Sequence, residues 1–366
     1  MIKYCIPTNF DDRLIGSAAE LNNSSKNIVY EFYGSLKETI TGTGRPAIIL
    51  NNIKIQKLKK YIQKCHSRKI KFNFLLNGAC MGAKEFDSVY LHKILTLVKF
   101  LEDSGADILT ITNPYLIAVI KNRFPKIKIC LSVIAGVNSL QEIKIYEKMG
   151  VCRIVLDPNI NRNFETLRYV RNHTNIELEL LANNPCLLKC PFMRYHYEIN
   201  SHISIKKEEN PAFPSVICKN IRLKNLEEII KSPWIRPSDA HRYADLGINY
   251  IKLAGRERSF EWILNAVKHY IKEQDGANFY QFIEKTGWKF FQEKNKDLKD
   301  LNVSIPFLPE NFLDFFEQRK ECGIKCEACG YCKKVAEKYI RINNQDIREK
   351  YLKEISSVIK NSIKAS

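Results

Sequence analysis

In "NNPCLLKCP" two cysteines, Cys186 and Cys190, stand with three residues between them, Cys218 follows in the same loop-like stretch, and "CGIKCEACGYC" gathers Cys322, Cys326, Cys329 and Cys332 near the C-terminus. Thiolates are strong ligands for soft metals, so spacing of this kind points to metal chemistry. Three thiols from one excursion can grip one face of an iron–sulfur cluster or a zinc ion, and a fourth ligand is then required. Cys80 is the first candidate for that place, with Cys5 or a substrate atom as alternatives. The C-terminal run, C-x3-C-x2-C-x2-C, suits either a four-iron cluster or a structural zinc. Zinc sites more often pair two C-x2-C knuckles across a longer loop, which tilts the reading toward iron–sulfur. One or two 4Fe-4S clusters are therefore expected, with zinc at the C-terminal motif as the alternative.

Other residues surround these thiols with acid–base and anion-binding capacity. "FMRYHYEINSH" supplies Arg194, Tyr195 and His196, which can bind or protonate a substrate. Strand-end residues Asn77, Asn113 and Asp157 join them, and Lys252, Arg256 and Arg258 cluster where many barrels hold an anionic group. The expected catalytic set is Cys80, His196, Tyr195 and Asp157; the expected substrate-binding set is Asn77, Asn113, Arg194, Lys252, Arg256 and Arg258. Glu177 and Glu179 share one face of their strand, and one pointing inward would need a partner. No H-E-x-x-H, G-x-S-x-G or Gly-Lys-Ser/Thr motif is present.

Residues so far apart converge only if the elements between them bring them together. Strand-like and helix-like segments alternate from "IKYCIP" to "INYIKLAG" and "SFEWILNAVKHYIKE", making eight β–α units. The strands are short and mostly apolar on both faces, as buried parallel strands are. Eight units in about 270 residues predict a (β/α)8 barrel of the TIM type, whose post-strand loops gather at one end. The expected barrel spans residues 1–273 and includes an insertion at 183–237 after strand seven. A mainly helical C-terminal extension, 274–366, carries the four-cysteine motif.

The composition narrows the setting. The first residues, "MIKYCIPTNFDD", lack the apolar centre of a signal peptide, and no uncharged run is long enough to span a bilayer, so a cytoplasmic protein with no membrane partner is expected. Twelve cysteines in that compartment favour metal or catalysis over disulfides. Cys5, Cys65, Cys130 and Cys152 stand alone and read as small core residues. A net charge of +18 suits a polyanion such as RNA, although Lys, Ile and Asn are abundant throughout.

The chain resembles peptidase family U32, the collagenase-like proteases, in "IELELLANNPCLLKCPF", in Cys218 and in "SPWIRPSDAHRYADLGINYIKLAGRERS", over roughly Ile28 to Lys268. Relatives in that family include oxygen-independent hydroxylation factors of ubiquinone synthesis and RNA hydroxylation factors. Several hold a four-iron cluster on four cysteines and are thought to take the oxygen atom from prephenate. The resemblance implies that Cys186, Cys190 and Cys218 are cluster ligands. The family's usual His-Gly-Ala before the first cysteine is replaced by "ANNP", and three residues instead of six separate the first two thiols. An iron–sulfur enzyme modifying an RNA, a peptide or an anionic small molecule without dioxygen is expected, with the C-terminal cluster passing electrons from a donor protein. The alternatives are a peptidase, and a non-catalytic RNA-binding or electron-transfer protein with structural metal.

Overall fold

Eight parallel strands close on themselves in sequence order: β1 (Lys3–Pro7), β2 (Ile28–Gly34), β3 (Lys71–Leu76), β4 (Ile108–Ile111), β5 (Lys128–Leu131), β6 (Arg153–Val155), β7 (Glu177–Leu181) and β8 (Tyr250–Lys252). The closing seam pairs Lys3 with Tyr250, Tyr4 with Ile251 and Cys5 with Lys252. This computed structural model describes residues 1–364 except 38, 52, 207–212, 284–297, 299, 300, 320 and 321. The expected eightfold barrel, with a mainly helical C-terminal part, is borne out.

The outer helices bury one stripe each against the strands. In α1 (Arg13–Ser24) and α2 (Ile55–Ser67) the inward residues include Leu14, Ala18, Leu58, Ile62 and Cys65. The ring continues through α3 (Ser88–Asp103), α4 (Pro114–Arg123), α5 (Leu140–Lys148) and α6 (Phe164–Asn172). Capping residues set where several of these start. Ser139 and Glu142 form a reciprocal capping box on α5, satisfying backbone N–H groups that the helix leaves unpaired. Ser139→Ala is expected to cost about 1 kcal/mol in chemical denaturation; an unchanged midpoint would show that the box contributes nothing.

The insertion after β7 is helical. It comprises α7 (Met193–Lys206), α8 (Phe213–Lys224) and α9 (Glu227–Lys231), and the chain returns through α10 (Ala240–Asp245), β8 and α11 (Phe260–Lys272). The C-terminal helix Gln345–Lys364 packs Ile347, Tyr351 and Ile355 against Val216 and Leu223 of α8. Arg348 strengthens that contact by donating to the Leu223 carbonyl at 2.6 and 2.8 Å. The element that carries Cys218 is therefore held from behind by the chain's last helix.

One expectation fails in the barrel interior. The strands are not apolar on both faces: Glu31, Asn73, Thr110, Arg153, Glu179 and Lys252 are buried and linked to one another inside the ring. Arg153 Nη1 donates to Glu31 Oε2 at 2.9 Å and to Glu179 Oε2 at 3.4 Å, and Lys252 Nζ lies 3.3 Å from Glu179 Oε1. Glu179 is the inward carboxylate; Glu177 reaches Arg153 from the rim and is 41% exposed. Cys5 and Cys130 belong to this polar interior, Cys130 within 3.9 Å of Glu179, while Cys65 sits in the apolar core as expected. Short strands made the inner face look apolar because each contributes only one or two of these polar side chains.

Candidate functional site

The C-terminal ends of the strands open on a cavity with about 600 Å3 of empty volume, lined among others by Tyr33, Arg45, Asn77, Ser132, Tyr197, Lys252 and Arg256. Arg256 is 7% exposed and donates to two neutral hydroxyls, Ser35 Oγ at 2.6 Å and Thr43 Oγ1 at 2.9 Å. Burial, with Arg45 close by, pulls its pKa down to about 10. Arg45 has Glu257 as a loose partner at 3.9 Å. Lys252 is shared between Glu179 and the face of Tyr33, 4.0 Å from the ring centre. Three cations thus border an open cavity, and among the described residues the hydrogen bonds of Arg256 go to hydroxyls. Such a site is built for an anion.

The cationic set differs from the expected one. Lys252 and Arg256 face the cavity, whereas Arg258 lies over Trp262 at 5.2 Å and beside Glu257 at 3.6 Å. Arg45 takes the third place, and sequence reasoning missed it. Its signal in the sequence is the glycine-rich stretch "GSLKETITGTGRP", which ends in that arginine and a proline. The same stretch passes so close to the loop after β3 that a Cβ on Gly78 would fall 1.9 Å from the Thr41 carbonyl oxygen, so only glycine fits there.

The remaining candidates separate. Asn77 lines the cavity; Asn113 does not, since its oxygen caps α4 through the Leu116 N–H and its amide donates to Glu85 at 2.8 Å. Arg194 is 92% exposed and pairs loosely with Glu198, and Tyr195 is exposed. His196 lies on α7 next to Tyr197; burial first, then Arg45, lowers its pKa to about 4, so the ring is neutral. Asp157 accepts from the Asn159 N–H at 2.9 Å and lines a second, larger cavity.

Cys186, Cys190 and Cys218 come together as one set. Burial and then Cys218 push the Cys186 thiol up to about 12, while Arg222 and Arg45 act to lower it. Arg222 ties the set to the chain by donating to the Pro185 carbonyl and approaching Cys218 Sγ at 4.0 Å. Cys80 is not among the groups acting most strongly on Cys186 or Cys190. It sits on the loop after β3, where its sulfur accepts the Gly82 N–H at 3.3 Å and the His202 ring borders Gly82.

Cys322, Cys326, Cys329 and Cys332 line a single cavity with Phe315, Phe316, Arg319 and Lys231. Facing them is Arg162, buried, resting 4.4 Å from the Trp234 ring, with an Nε that has no hydrogen-bond partner. A buried cation with no carboxylate partner among the described residues, beside four thiols, fits an anionic metal–thiolate centre. In a tetrahedral zinc site, bonds of roughly 2.3 Å place the sulfurs about 3.8 Å apart. Among the described residues, the one group of three potential ligands within 4.8 Å of one another is Cys5, Glu31 and Glu179, and the donor chemistry of the two thiol sets suits zinc as well as an iron–sulfur cluster.

The two sets also meet. A cavity with about 1380 Å3 of empty volume is lined by Cys190 together with Cys322, Cys326 and Cys332, with Asp157, Asn159, Arg162 and Lys189 around them. A Cβ on Gly323 would stand 3.2 Å from Leu188 and 3.4 Å from Lys189, so the two cysteine loops touch directly.

The fold and site define a closed β/α barrel with a cationic mouth and two adjoining thiol centres. Comparison with known proteins bears out the resemblance to peptidase family U32: the model of that family matches residues 45–187, a span that holds Arg45 and Cys186 and stops before Cys190. An uncharacterized protease of Methanocaldococcus jannaschii is 28% identical over 332 residues, covering 90% of this chain and 94% of that protein. The tRNA hydroxylation protein P of Escherichia coli is 25% identical over 177 residues, 48% of this chain and 36% of that protein. The solved structure of a U32 peptidase shares the fold, with a TM-score of 0.51 and 15% identity over 70% of this chain and 94% of that one. Among the described residues no helix is long and apolar enough to cross a membrane.

Proposed function

We propose that the chain is a U32-type enzyme that modifies RNA without dioxygen, by hydroxylation, using iron–sulfur clusters on its two thiol sets. The observation that carries this reading is the position of Arg45, which borders the mouth cavity and also acts on Cys186, so that anion pocket and thiol centre adjoin. The likeness to tRNA hydroxylation proteins supports the substrate class, and the C-x3-C-x2-C-x2-C run, unlike the paired knuckles of most zinc sites, supports a cluster. Bound clusters would supply one-electron chemistry at the rim. Cys186, Cys190 and Cys218 would hold one, and Cys322, Cys326, Cys329 and Cys332 the other.

In this reading Arg256, Lys252 and Arg45 orient an anionic oxygen donor in the mouth. The oxygen atom passes from the donor to a C–H carbon of the substrate, so the donor is reduced by two electrons and the substrate oxidised by two. Asn77, Ser132 and Tyr197 provide neutral hydrogen-bonding groups around the donor. The oxygen transfer consumes no electrons in net, so the contact between the two cysteine loops would let an external donor protein set the mouth cluster to its working redox state before turnover and would supply none of the electrons of the transfer itself.

Iron and acid-labile sulfide per chain, measured on anaerobically prepared protein, test this directly. About eight irons are expected, with Cys186→Ala and Cys329→Ala each losing half; zinc alone would sink the reading. A peptidase is the second reading, favoured by the approach of His202 to the Cys80 loop. Metal-independent peptide cleavage abolished by Cys80→Ala would establish it in place of the first.

A further inference from the structure

Lysine is abundant over the whole surface, but it is not answered everywhere in the same way. On α3, Lys99 pairs with Glu102 and Asp103; on α5, Lys144 pairs with Glu147; on α9, Lys231 pairs with Glu227 and Glu228. Helix α2 departs from this pattern. Between Lys54 and Lys69 there are seven Lys and Arg residues, all exposed, and no Asp or Glu. Among the described residues only Lys64 of these has an acidic partner, Asp12. Lys57, Lys60 and Lys64 fall at helical spacing on one stripe, and the ridge is about 20 Å long. A general bias toward lysine explains the number of these residues; it does not explain why this helix lacks the acids its neighbours carry.

The mouth end of α2 runs into the rim of the barrel. The segment that leads into the helix supplies Arg45 to the cavity, and its Ile40 carbonyl accepts the Tyr90 hydroxyl of α3. On that neighbouring unit Phe86 is 66% exposed and Val89 63% exposed, and the Phe86 ring lies tilted against Tyr115 with centroids 4.6 Å apart. A ridge of cations on α2 and an exposed ring on the next unit, joined through the Tyr90–Ile40 contact, are the two elements of a single-strand binding surface: the cations follow the phosphates and the ring receives an unstacked base.

We propose that α2 and the adjoining rim around Phe86 form the docking surface for single-stranded or looped RNA, guiding the target nucleotide to the mouth. This rests on RNA being the substrate class, and it assigns the recognition to residues outside the mouth cavity and both thiol sets.

The test is fluorescence anisotropy of a labelled 20-nucleotide unstructured RNA over a salt series, with the full chain. The triple variant Lys57→Gln, Lys60→Gln, Lys64→Gln is expected to weaken binding about tenfold or more at low salt. It should also reduce the slope of log affinity against log salt by about 2, since each phosphate contact on a single strand contributes roughly 0.7. Phe86→Ala is expected to weaken binding about tenfold with the slope unchanged. Iron content should be the same in all variants. Wild-type affinity and slope in the triple variant would overturn the proposal, as would equal binding to anionic lipid vesicles with no effect of Phe86→Ala. Loss of binding in the variants of a protein that holds no iron would keep the docking surface and sink the catalytic reading alone.

Discussion

Replacing Arg153 with methionine is expected to destabilise the barrel by about 3–5 kcal/mol, because it leaves two buried carboxylates of which, among the described residues, Glu179 alone keeps a cation, Lys252. Arg153, Glu31 and Glu179 are each 0% exposed, and Arg153 links both acids through one nitrogen. Burial works against the charge on Arg153, yet Glu31 first among its neighbours holds it protonated. For Glu179, burial raises the pKa, while Lys252 and Arg153 outweigh burial and leave it below the ordinary carboxylate range. In the natural protein that depressed pKa contributes stability above the unfolded value of about 4.3. The contribution is lost as the pH falls through the folded value.

The variant reverses the sign. With Arg153 gone, a carboxylate facing the barrel interior has its folded pKa raised, so its penalty is present at neutral pH and relieved by protonation. Urea denaturation should therefore show the difference from the natural protein narrowing as the pH is lowered from 7 toward 5. Glu177→Gln is the control: that side chain is 41% exposed and should change stability by less than about 1 kcal/mol. A loss under 1 kcal/mol for Arg153→Met would mean that the interior network is not needed to hold the strands.

Arg256→Met should separate binding from stability. Charge-assisted hydrogen bonds contribute roughly 1.5–3 kcal/mol each, so losing this guanidinium should weaken a small anion at the mouth by about a hundredfold. Citrate and inorganic phosphate, followed by titration calorimetry, are suitable probes. Stability should stay within about 1 kcal/mol, because removing a buried cation held by hydroxyls offsets the two hydrogen bonds lost. Unchanged anion affinity would remove Arg256 from the site. A large fall in stability would make it a structural residue of the loops holding Ser35 and Thr43.

The residue pattern alone determined the eight β–α units, the closed barrel they make, the Cys186–Cys190 pair and the four-cysteine run, since each unit and each of these spacings is written over neighbouring residues. Period, strand length and C-x-x-C spacing report local geometry and burial. They do not report which buried groups meet. Only the closed barrel decided that Arg45 stands at the mouth in place of Arg258, that Cys80 sits on a loop bordered by His202 instead of appearing among the neighbours that act on Cys186, and that the loop of Cys322 rests on the loop of Cys190. The inner network is the clearest instance: Arg153 and Glu31 are 122 residues apart and ion-paired at 2.9 Å. Ring closure places them face to face, and an alternation of apolar residues along each strand carries no record of that partner.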